Sequence, residues 1–280
     1  MKERLSFHIA MALFLLIAAA VLIYPTVTMI LMSFQPAGGG ALTLANYKEI
    51  LTQSMYTASI KNSIVISLVS SIVALVFTTF TTYAIVSRSE RLREVFLVIS
   101  NITSNFAGIP LAFAYIIMLG SSGVLLIFAR EWGIDWLSHF NLYSVTGLVL
   151  VFIYFQLPLG ITLLMPIYDI IDHRWRESAE LLGAGSVQFW YHIGLPVLAP
   201  SILGVFAIMF ANAMGAYASA DALTGNSVNL LSIRIANTVT GDIFARPEVG
   251  AALSILLAII LLFNMIVSDW LSKRTKAVRK

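Results

Sequence analysis

Apolar residues occur along this chain in long runs that are separated by short polar segments. A helix rises about 1.5 Å per residue, so about 20 apolar residues cross the roughly 30 Å hydrocarbon layer of a membrane. Six runs are that long, and they occupy residues 7–32, 62–87, 95–120, 145–171, 200–223 and 250–271. The pattern predicts an all-α, polytopic membrane protein with about six transmembrane helices, built as one membrane domain over residues 1–280.

The composition agrees with a lipid environment. Hydrophobic residues make up 59% of the chain and charged residues only 11%, whereas soluble domains have about 25% charged residues. The absence of cysteine excludes a disulfide framework, a thiol nucleophile and a cysteine-ligated metal. The four histidines have no ligand spacing, so no metal site is predicted. The net charge of +3 is too small to indicate nucleic-acid binding.

Lysines and arginines between the runs predict the orientation, because basic residues resist translocation across the membrane. Six spans place both termini on one side. The basic residues on that side are Lys2, Arg4, Arg88, Arg91, Arg93, Arg174, Arg176, Lys273, Arg274, Lys276, Arg279 and Lys280. Those on the other side are fewer, namely Lys48, Lys61, Arg130, Arg234 and Arg246. We therefore expect cytoplasmic termini, a cytoplasmic segment at 172–196, and outer loops at 125–140 and 224–248.

The segment 172–196 has the pattern of a short helical hairpin at the membrane surface. Trp175, Ala179 and Leu182 recur at i, i+4 and i+7, which puts them on one face of a helix. Gly183 can end that helix, because glycine adopts left-handed backbone geometry at little cost. An ordinary amphipathic connector that lies against lipid headgroups has the same pattern, so periodicity alone leaves both interpretations open.

A second short helix is predicted in the same segment. Ser186 is a residue type that caps helices, and we expect it to cap a helix over residues 187–193. Pro196 then marks a bend into the fifth span, because proline interrupts helical hydrogen bonding.

The spacing of particular residues in this segment is more informative than its periodicity. They are Glu177, Ser178 and Ala179, then Gly183 four positions after the alanine, then Ile193, Leu195 and Pro196. The pattern resembles the Glu-Ala-Ala signature of binding-protein-dependent importer permeases, with Ser178 where the family usually has alanine. The resemblance extends to Tyr154, Gln156, Leu157, Pro158, Leu198, Pro200 and Ser201. It looks closest to the spermidine/putrescine, iron and phosphonate-type permeases.

This resemblance implies the type I ABC importer permease fold, in which the segment forms cytoplasmic coupling helices that dock in a groove of a separate ATPase. The implied ATPase-coupling residues are Trp175, Glu177, Ser178, Ala179, Leu182 and Gly183. Glu177 would make the ionic contact, because the loss of a desolvated ion pair at an interface is costly. Gly183 would form the turn.

The resemblance also implies the partners. They are ATP-binding subunits that hold ATP and Mg, a second permease subunit that is homologous or identical, an extracytoplasmic solute-binding protein, and the lipid bilayer of the bacterial inner (plasma) membrane. The chain lacks a phosphate-binding glycine loop followed by lysine and serine or threonine. We therefore expect neither a cofactor nor catalytic residues in this chain.

Four polar residues near the outer end of the fifth run are candidates for the substrate path: Asn212, Tyr217, Ser219 and Asp221. In a continuous helix, positions 212, 216 and 219 share one face. The same residues suit hydrogen bonds between helices or a wetted interface, and these alternatives stay open. Ala216 stands where such permeases often have an acid. The path is then nearly neutral, which slightly disfavours a polyamine over an anionic or metal-chelate cargo.

Two other functional classes need features that are not evident in the sequence. An intramembrane enzyme needs polar catalytic groups that converge at one depth of the membrane. A self-sufficient channel or secondary transporter favours charged residues or broken helices near the midplane. The hairpin at 172–196 has no evident use in either class. The sequence therefore favours a permease subunit of an ATP-driven importer of a small solute such as a polyamine, an iron chelate or a phosphonate.

Overall fold

The computed structural model describes residues 2–225, 227–240 and 245–277, without the side chains of residues 2–6, 9, 10, 173 and 275–277. Five of the basic residues used to predict the orientation have side chains that the structure does not describe: Lys2, Arg4, Lys276, Arg279 and Lys280. The chain forms two compact units, Met1–Thr57 with Arg234–Ile259 and Ala58–Ile233 with Ile260–Lys280. One membrane domain over residues 1–280 stays a prediction.

All regular elements within the described residues are helices. In chain order they are α1 (Lys2–Ser33), α2 (Ala45–Thr52), α3 (Ser54–Val86), α4 (Glu90–Asn105), α5 (Ile109–Leu119), α6 (Val124–Glu131), α7 (Asp135–Ser138), α8 (Val145–Tyr168), α9 (His173–Leu181), α10 (Ser186–Phe189), a π-helical turn (Trp190–Gly194), α11 (Leu195–Met214), α12 (Ala218–Thr224), α13 (Leu231–Thr240) and α14 (Pro247–Ala277). The all-α prediction is confirmed.

The described part of the chain contains six helical stretches that are long and apolar enough to cross a membrane. They are Met11–Ser33, Ser54–Val86, Ile109–Glu131, Val145–Tyr168, Ser186–Met214 and Pro247–Arg274. This confirms the predicted number of spans. A lipid core leaves no water for free backbone groups, so helices satisfy their own hydrogen bonds there.

Polar side chains fix the short helix α2 in the first compact unit. Asn46 Nδ2 donates to the carbonyl oxygens of Ser33 at 3.0 Å and of Gln35 at 2.8 Å. Arg246 donates to both carboxylate oxygens of Glu49 at 2.5 and 2.8 Å. This hydrogen bonding holds the pKa of Glu49 below its usual value. The pair joins α2 to the residues that precede α14.

The core of the second unit is built around α8, half of which is buried, a larger share than in any other candidate span. Gln156 is fully buried, and its Nε2 donates to Ser70 Oγ at 3.1 Å and to Ser71 Oγ at 3.2 Å. A Cβ at Gly160 would lie 2.8 Å from Thr78 atoms. Small residues and polar bonds of this kind bring membrane helices into close contact, so α3 and α8 form a tight pair.

The third predicted span, 95–120, is divided in the structure. Helix α4 ends at Asn105 and α5 begins at Ile109. Gly108 has φ 77°, a conformation that favours glycine and ends regular helix. Pro110 follows in the first turn of α5, where its missing N–H is tolerated. The break shifts the third candidate span toward the C-terminus, to Ile109–Glu131.

The fifth predicted span, 200–223, is also placed differently. Its helix α11 ends at Met214, and α12 begins only at Ala218 after a short non-helical segment. At its other end the helical stretch reaches back to Ser186. The later half of α14 packs against α11, since Asn264 Nδ2 donates to the Ala207 carbonyl at 3.1 Å.

Candidate functional site

The first helix of the predicted hairpin is α9, and local hydrogen bonds define both of its ends. Asp172 caps the N-terminus, because its Oδ1 accepts the backbone N–H of Arg174 at 2.9 Å. At the other end, the N–H of Ala184 donates to the carbonyl of Ala179 at 2.9 Å. Gly183 has φ 83°, which would strain a larger residue. The predicted helix end at Gly183 is confirmed.

The predicted apolar stripe of α9 faces two different environments. Ala179 is buried within this chain at 6% exposure, whereas Trp175 is 37% and Leu182 is 88% exposed. Leu182 lies one residue beyond the last helical position, so its side chain leaves the face that Ala179 occupies. Glu177 and Ser178 are exposed as well. Of the predicted stripe, only Ala179 is buried.

Exposed apolar side chains surround the turn of the hairpin. Leu181, Val187 and Tyr191 accompany Leu182, with exposures of 89%, 83% and 72%. Among the described side chains, Glu177 has no ion pair. A cluster of exposed apolar residues beside an unpaired carboxylate is typical of a surface that contacts another molecule.

The second half of the hairpin differs from the sequence prediction in two respects. Gly185, not Ser186, is the residue that precedes α10, and its backbone N–H donates to Gln188 Oε1 at 3.0 Å. The expectation of a Ser186 cap is therefore wrong, because the glutamine side chain supplies the bond. The expected separate helix over 187–193 is wrong too, since α10 continues through the π-helical turn into α11 without a break at Pro196.

The π-helical turn is explained by two residues. Pro196 has no N–H to donate, and the N–H of Leu195 bonds to the carbonyl of Trp190, five residues back. Gly194 gives room for the Trp190 indole, because a Cβ on Gly194 would lie 2.3 Å from that ring. The wider turn therefore accommodates both the proline and the indole.

Aromatic rings attach the hairpin to the ends of α3 and α8. The Trp190 ring is 4.6 Å from Tyr83 and 6.2 Å from Tyr168, centroid to centroid. Tyr168 donates its hydroxyl to the carbonyl of Thr79 at 2.7 Å. Trp190 Nε1 is buried without a hydrogen-bond partner among the described residues. The hairpin therefore rests on a packed aromatic base.

An ion pair lies beside this base. Arg93 of α4 donates to Asp169 Oδ1 at 2.8 Å and to Oδ2 at 2.5 Å. These hydrogen bonds raise the pKa of Arg93 above its usual value.

A cavity of about 830 Å³, named here the hairpin cavity, lies between the hairpin and the ends of α3 and α8.

A second cavity of about 590 Å³ lies where the third and fifth predicted spans are broken. It is lined by Asn212, Tyr217 and Ser219 together with Ser104 and Gly108, and it is named the α5–α12 cavity. Three of the four path candidates thus meet at one cavity. They do so from two helices and the segment between them, so the predicted continuous face over positions 212, 216 and 219 is wrong.

The fourth candidate, Asp221, does not line this cavity but accepts the hydroxyl of Tyr217 at 3.2 Å. Ser219 is 5% exposed and donates to the carbonyl of Gly108 at 3.2 Å, which links α12 to the start of α5. Ser104 and Gly108 were not among the predicted path residues. In the sequence, Gly108 and Pro110 are the signal for a helix break between α4 and α5.

Charged side chains are absent from the lining residues of the α5–α12 cavity, which supply only hydroxyl, amide and backbone polar groups. Nor do the described residues contain a cluster of three His, Asp or Glu side chains able to hold a metal ion. The cavity can offer hydrogen bonds to a solute, and its walls combine small residues with the larger side chains of Phe155, Leu159 and Tyr217.

A family model described as "Binding-protein-dependent transport system inner membrane component" matches residues 74–277. The matched range includes the hairpin and every residue that lines either cavity. It covers most of the chain.

Relatives of known name include ferric and sulfate permeases. The putative ferric transport system permease protein FbpB 1 of Haemophilus influenzae is 25% identical over 91% of this chain and 40% of its own length. The sulfate transport system permease protein CysT of Escherichia coli is 25% identical over 47% of this chain and 50% of its own length. This chain therefore spans half or less of the length of these two relatives.

Solved structures share the fold over most of the chain. A chain of a bacterial alginate ABC transporter, in complex with an alginate pentasaccharide-bound periplasmic protein, aligns with a TM-score of 0.75 at 16% identity, covering 97% of this chain and 96% of that one. A chain of the MetNI methionine ABC transporter, in an inward-facing conformation, aligns with a TM-score of 0.60 at 16% identity, covering 80% of this chain and 99% of that one.

Proposed function

The chain belongs to the family of binding-protein-dependent transport system inner membrane components, and from this we propose that it is the permease subunit of an ATP-driven importer. It is a multi-pass protein of the bacterial inner membrane. In the proposed mechanism its helices form the solute path, and a separate ATPase subunit drives the alternation of access by moving the 172–196 hairpin.

The observation that carries this proposal is the construction of the hairpin. Its turn exposes Leu181, Leu182 and Val187, and Glu177 has no ion pair among the described side chains. Its base is packed through Trp190 against the end of α3. A rigid element with exposed apolar residues at its turn can transmit the movement of a docked partner to the membrane helices, whereas a flexible loop cannot.

The proposed solute path includes the α5–α12 cavity. Two broken helices meet there, and the bond from Ser219 to Gly108 joins them. Broken helices expose backbone polar groups, and in membranes these are tolerated where they line a protein-enclosed or watered space. Hydroxyl and amide groups in the lining suit a solute that passes without tight binding.

The proposed partners are two ATP-binding subunits that hold ATP and Mg, a second permease subunit and an extracytoplasmic solute-binding protein. The described lining of the α5–α12 cavity has no acidic side chain to attract a polycation. The relatives' names make ferric ion and sulfate the first cargoes to test. The third candidate span includes residues 125–131 of the expected outer loop 125–140. The proposed contact regions for the binding protein are therefore 132–140 and 224–248.

A reconstitution tests the proposal. The chain is co-purified in nanodiscs with the ATPase encoded beside its gene, and ATP hydrolysis is measured with ferric-loaded or sulfate-loaded binding proteins. We expect Glu177→Arg to weaken ATPase binding by at least about tenfold, as expected for reversal of one charge of an interface pair. Glu94→Arg is the matched control, because Glu94 is an exposed glutamate on α4 outside the hairpin.

Two outcomes contradict the proposed function. In the first, Glu177→Arg and Glu94→Arg assemble and turn over ATP as the wild type does, so the hairpin is not the docking element. In the second, the chain alone passes solute into liposomes without ATP, which is the behaviour of a channel.

A further inference from the structure

The hairpin cavity lies at the ends of two candidate spans. Tyr83 and Val86 line it at the end of α3, and Tyr168 lines it at the end of α8. The ends of spans lie at the depth of lipid headgroups, where tyrosine and tryptophan side chains are enriched. Trp175 and Trp190 also line the cavity. Its position and its aromatic walls match those of the membrane interface.

Apolar side chains lead from the hydrocarbon region toward this cavity along one face of α3. Val76 and Phe80 are 50% and 69% exposed. Tyr83 and Ser87, which line the cavity, continue the same face at helical spacing. A lipid chain lying along this face would place its headgroup at the cavity.

The charges at the cavity have both signs. Asp169 is neutralised by its two hydrogen bonds from Arg93. Asp172 has no ion pair among the described side chains, and only its Oδ1 is used, as the cap of α9. Arg176 bonds Glu180 through Nε alone, so its two Nη atoms have no partner within the described part of the chain.

Asp172 and Arg176 are four residues apart at the start of α9, so they lie about one helical turn from each other on one face. A free carboxylate oxygen can accept hydrogen bonds from an ammonium group, and free guanidinium nitrogens can donate to a phosphate. One ligand that carries both groups on a short link satisfies both side chains. Such a ligand is a zwitterion, and an anionic headgroup would leave Asp172 unpaired.

We propose that the hairpin cavity binds the headgroup of a phosphatidylethanolamine from the adjacent leaflet. The phosphate contacts Arg176, the ammonium contacts Asp172, and the acyl chains follow the apolar face of α3. The bound lipid fills the space under the hairpin and supports it against the ends of the spans. This inference goes beyond the proposed transport function and does not depend on which solute is carried.

The test measures lipid retention by native mass spectrometry of the full-length chain, after exchange into detergent and addition of one lipid at a time. We expect phosphatidylethanolamine to be retained about tenfold better than phosphatidylglycerol, a preference that corresponds to one charge-assisted contact. Asp172→Asn and Arg176→Gln should each reduce phosphatidylethanolamine retention about tenfold. Asparagine still caps α9, so Asp172→Asn removes the charge but keeps the helix start.

Arg174→Gln is the matched control, because Arg174 is an exposed arginine of the same helix that does not line the cavity. It should retain the lipid as the wild type does. Ser87→Trp is an independent variant, since a bulky side chain at this lining position fills the cavity while Asp172 and Arg176 remain. It should lose the lipid without loss of a charge.

Four results would overturn the proposal. The first is equal retention of phosphatidylethanolamine by all these variants, and the second is equal or better retention of phosphatidylglycerol by the wild type. The third is displacement of the lipid by an equal concentration of soluble glycerophosphoethanolamine, and the fourth is loss of the lipid when the ATPase binds. The third result assigns the cavity to a soluble metabolite. The fourth assigns it to a side chain of the partner.

Discussion

The hairpin and the α5–α12 cavity belong to the same compact unit but are assembled in different ways. The bonds that shape the hairpin join near neighbours, such as Ala184 to Ala179 and Gly185 to Gln188. The cavity depends on a bond between Ser219 and Gly108, which are 111 residues apart. A locally bonded element can move as one piece, whereas a site formed by distant segments changes whenever those segments move.

This difference agrees with the function proposed for each region. A docking element transmits force only if it keeps its shape, and local hydrogen bonds with a packed aromatic base preserve it. A solute path has to open and close, and a contact between two broken helices can separate without unfolding either helix. Substitutions that affect the two regions separately test the comparison.

The largest expected effect is at the base of the hairpin. Gly194→Ala places a Cβ 2.3 Å from the Trp190 ring, and such overpacking costs about 1–3 kcal/mol. We expect a lower thermal unfolding midpoint in nanodiscs, together with weaker coupling of ATP hydrolysis to transport. Gly204→Ala is the control, because a Cβ at Gly204 meets no atom within 4 Å and alanine favours helix. If both variants unfold at the wild-type temperature, the packed base does not hold the hairpin.

A smaller effect is expected at the turn. Gly183→Ala forces alanine into φ 83°, which costs about 1–2 kcal/mol. The matched control is Gly185→Ala, because Gly185 has φ −71° and equally open surroundings. We expect Gly183→Ala alone to reduce the affinity of the ATPase, measured by titration in nanodiscs. Equal affinities for the two variants would show that the turn geometry is unimportant for docking.

The smallest effect is expected at the α5–α12 cavity. Ser219→Ala removes the bond to Gly108, a loss of about 1 kcal/mol. We expect a change in solute uptake while ATPase affinity stays at the wild-type value, because the hairpin is untouched. Ser104→Ala is the control, since it also removes a hydroxyl from the lining but not the link between α12 and α5. A loss of ATPase affinity in Ser219→Ala would contradict the separation of the two regions.

Prediction from the sequence succeeded where the signal was local. The six spans follow from runs of apolar residues, and the end of α9 follows from Gly183. It failed at the Ser186 cap, because the Gln188 side chain bonds the helix start instead. It also failed to indicate the π-helical turn that joins α10 to α11 just before Pro196.

The two broken spans show a further difficulty. The apolar run 200–223 continues across the break near Gly215, so hydropathy gives little sign of it, whereas mostly polar residues at 100–105 precede the break near Gly108. The candidates Asn212, Tyr217 and Ser219 line one cavity, but their helical spacing is not the reason. They meet because the helix ends between them, and not because they share a helical face.

The sequence by itself determined the membrane class, the number of spans, the place of the hairpin and the family. These depend on apolar content and on residue spacing within short segments, and a lipid solvent leaves helix as the way to satisfy the backbone. Only the tertiary structure decided which residues line the two cavities and which side chains pack against the base of the hairpin. Those choices depend on contacts such as Thr78 with Gly160 and Tyr83 with Trp190. Contacts between distant segments form only when the helices pack, and no local pattern encodes the distances that result.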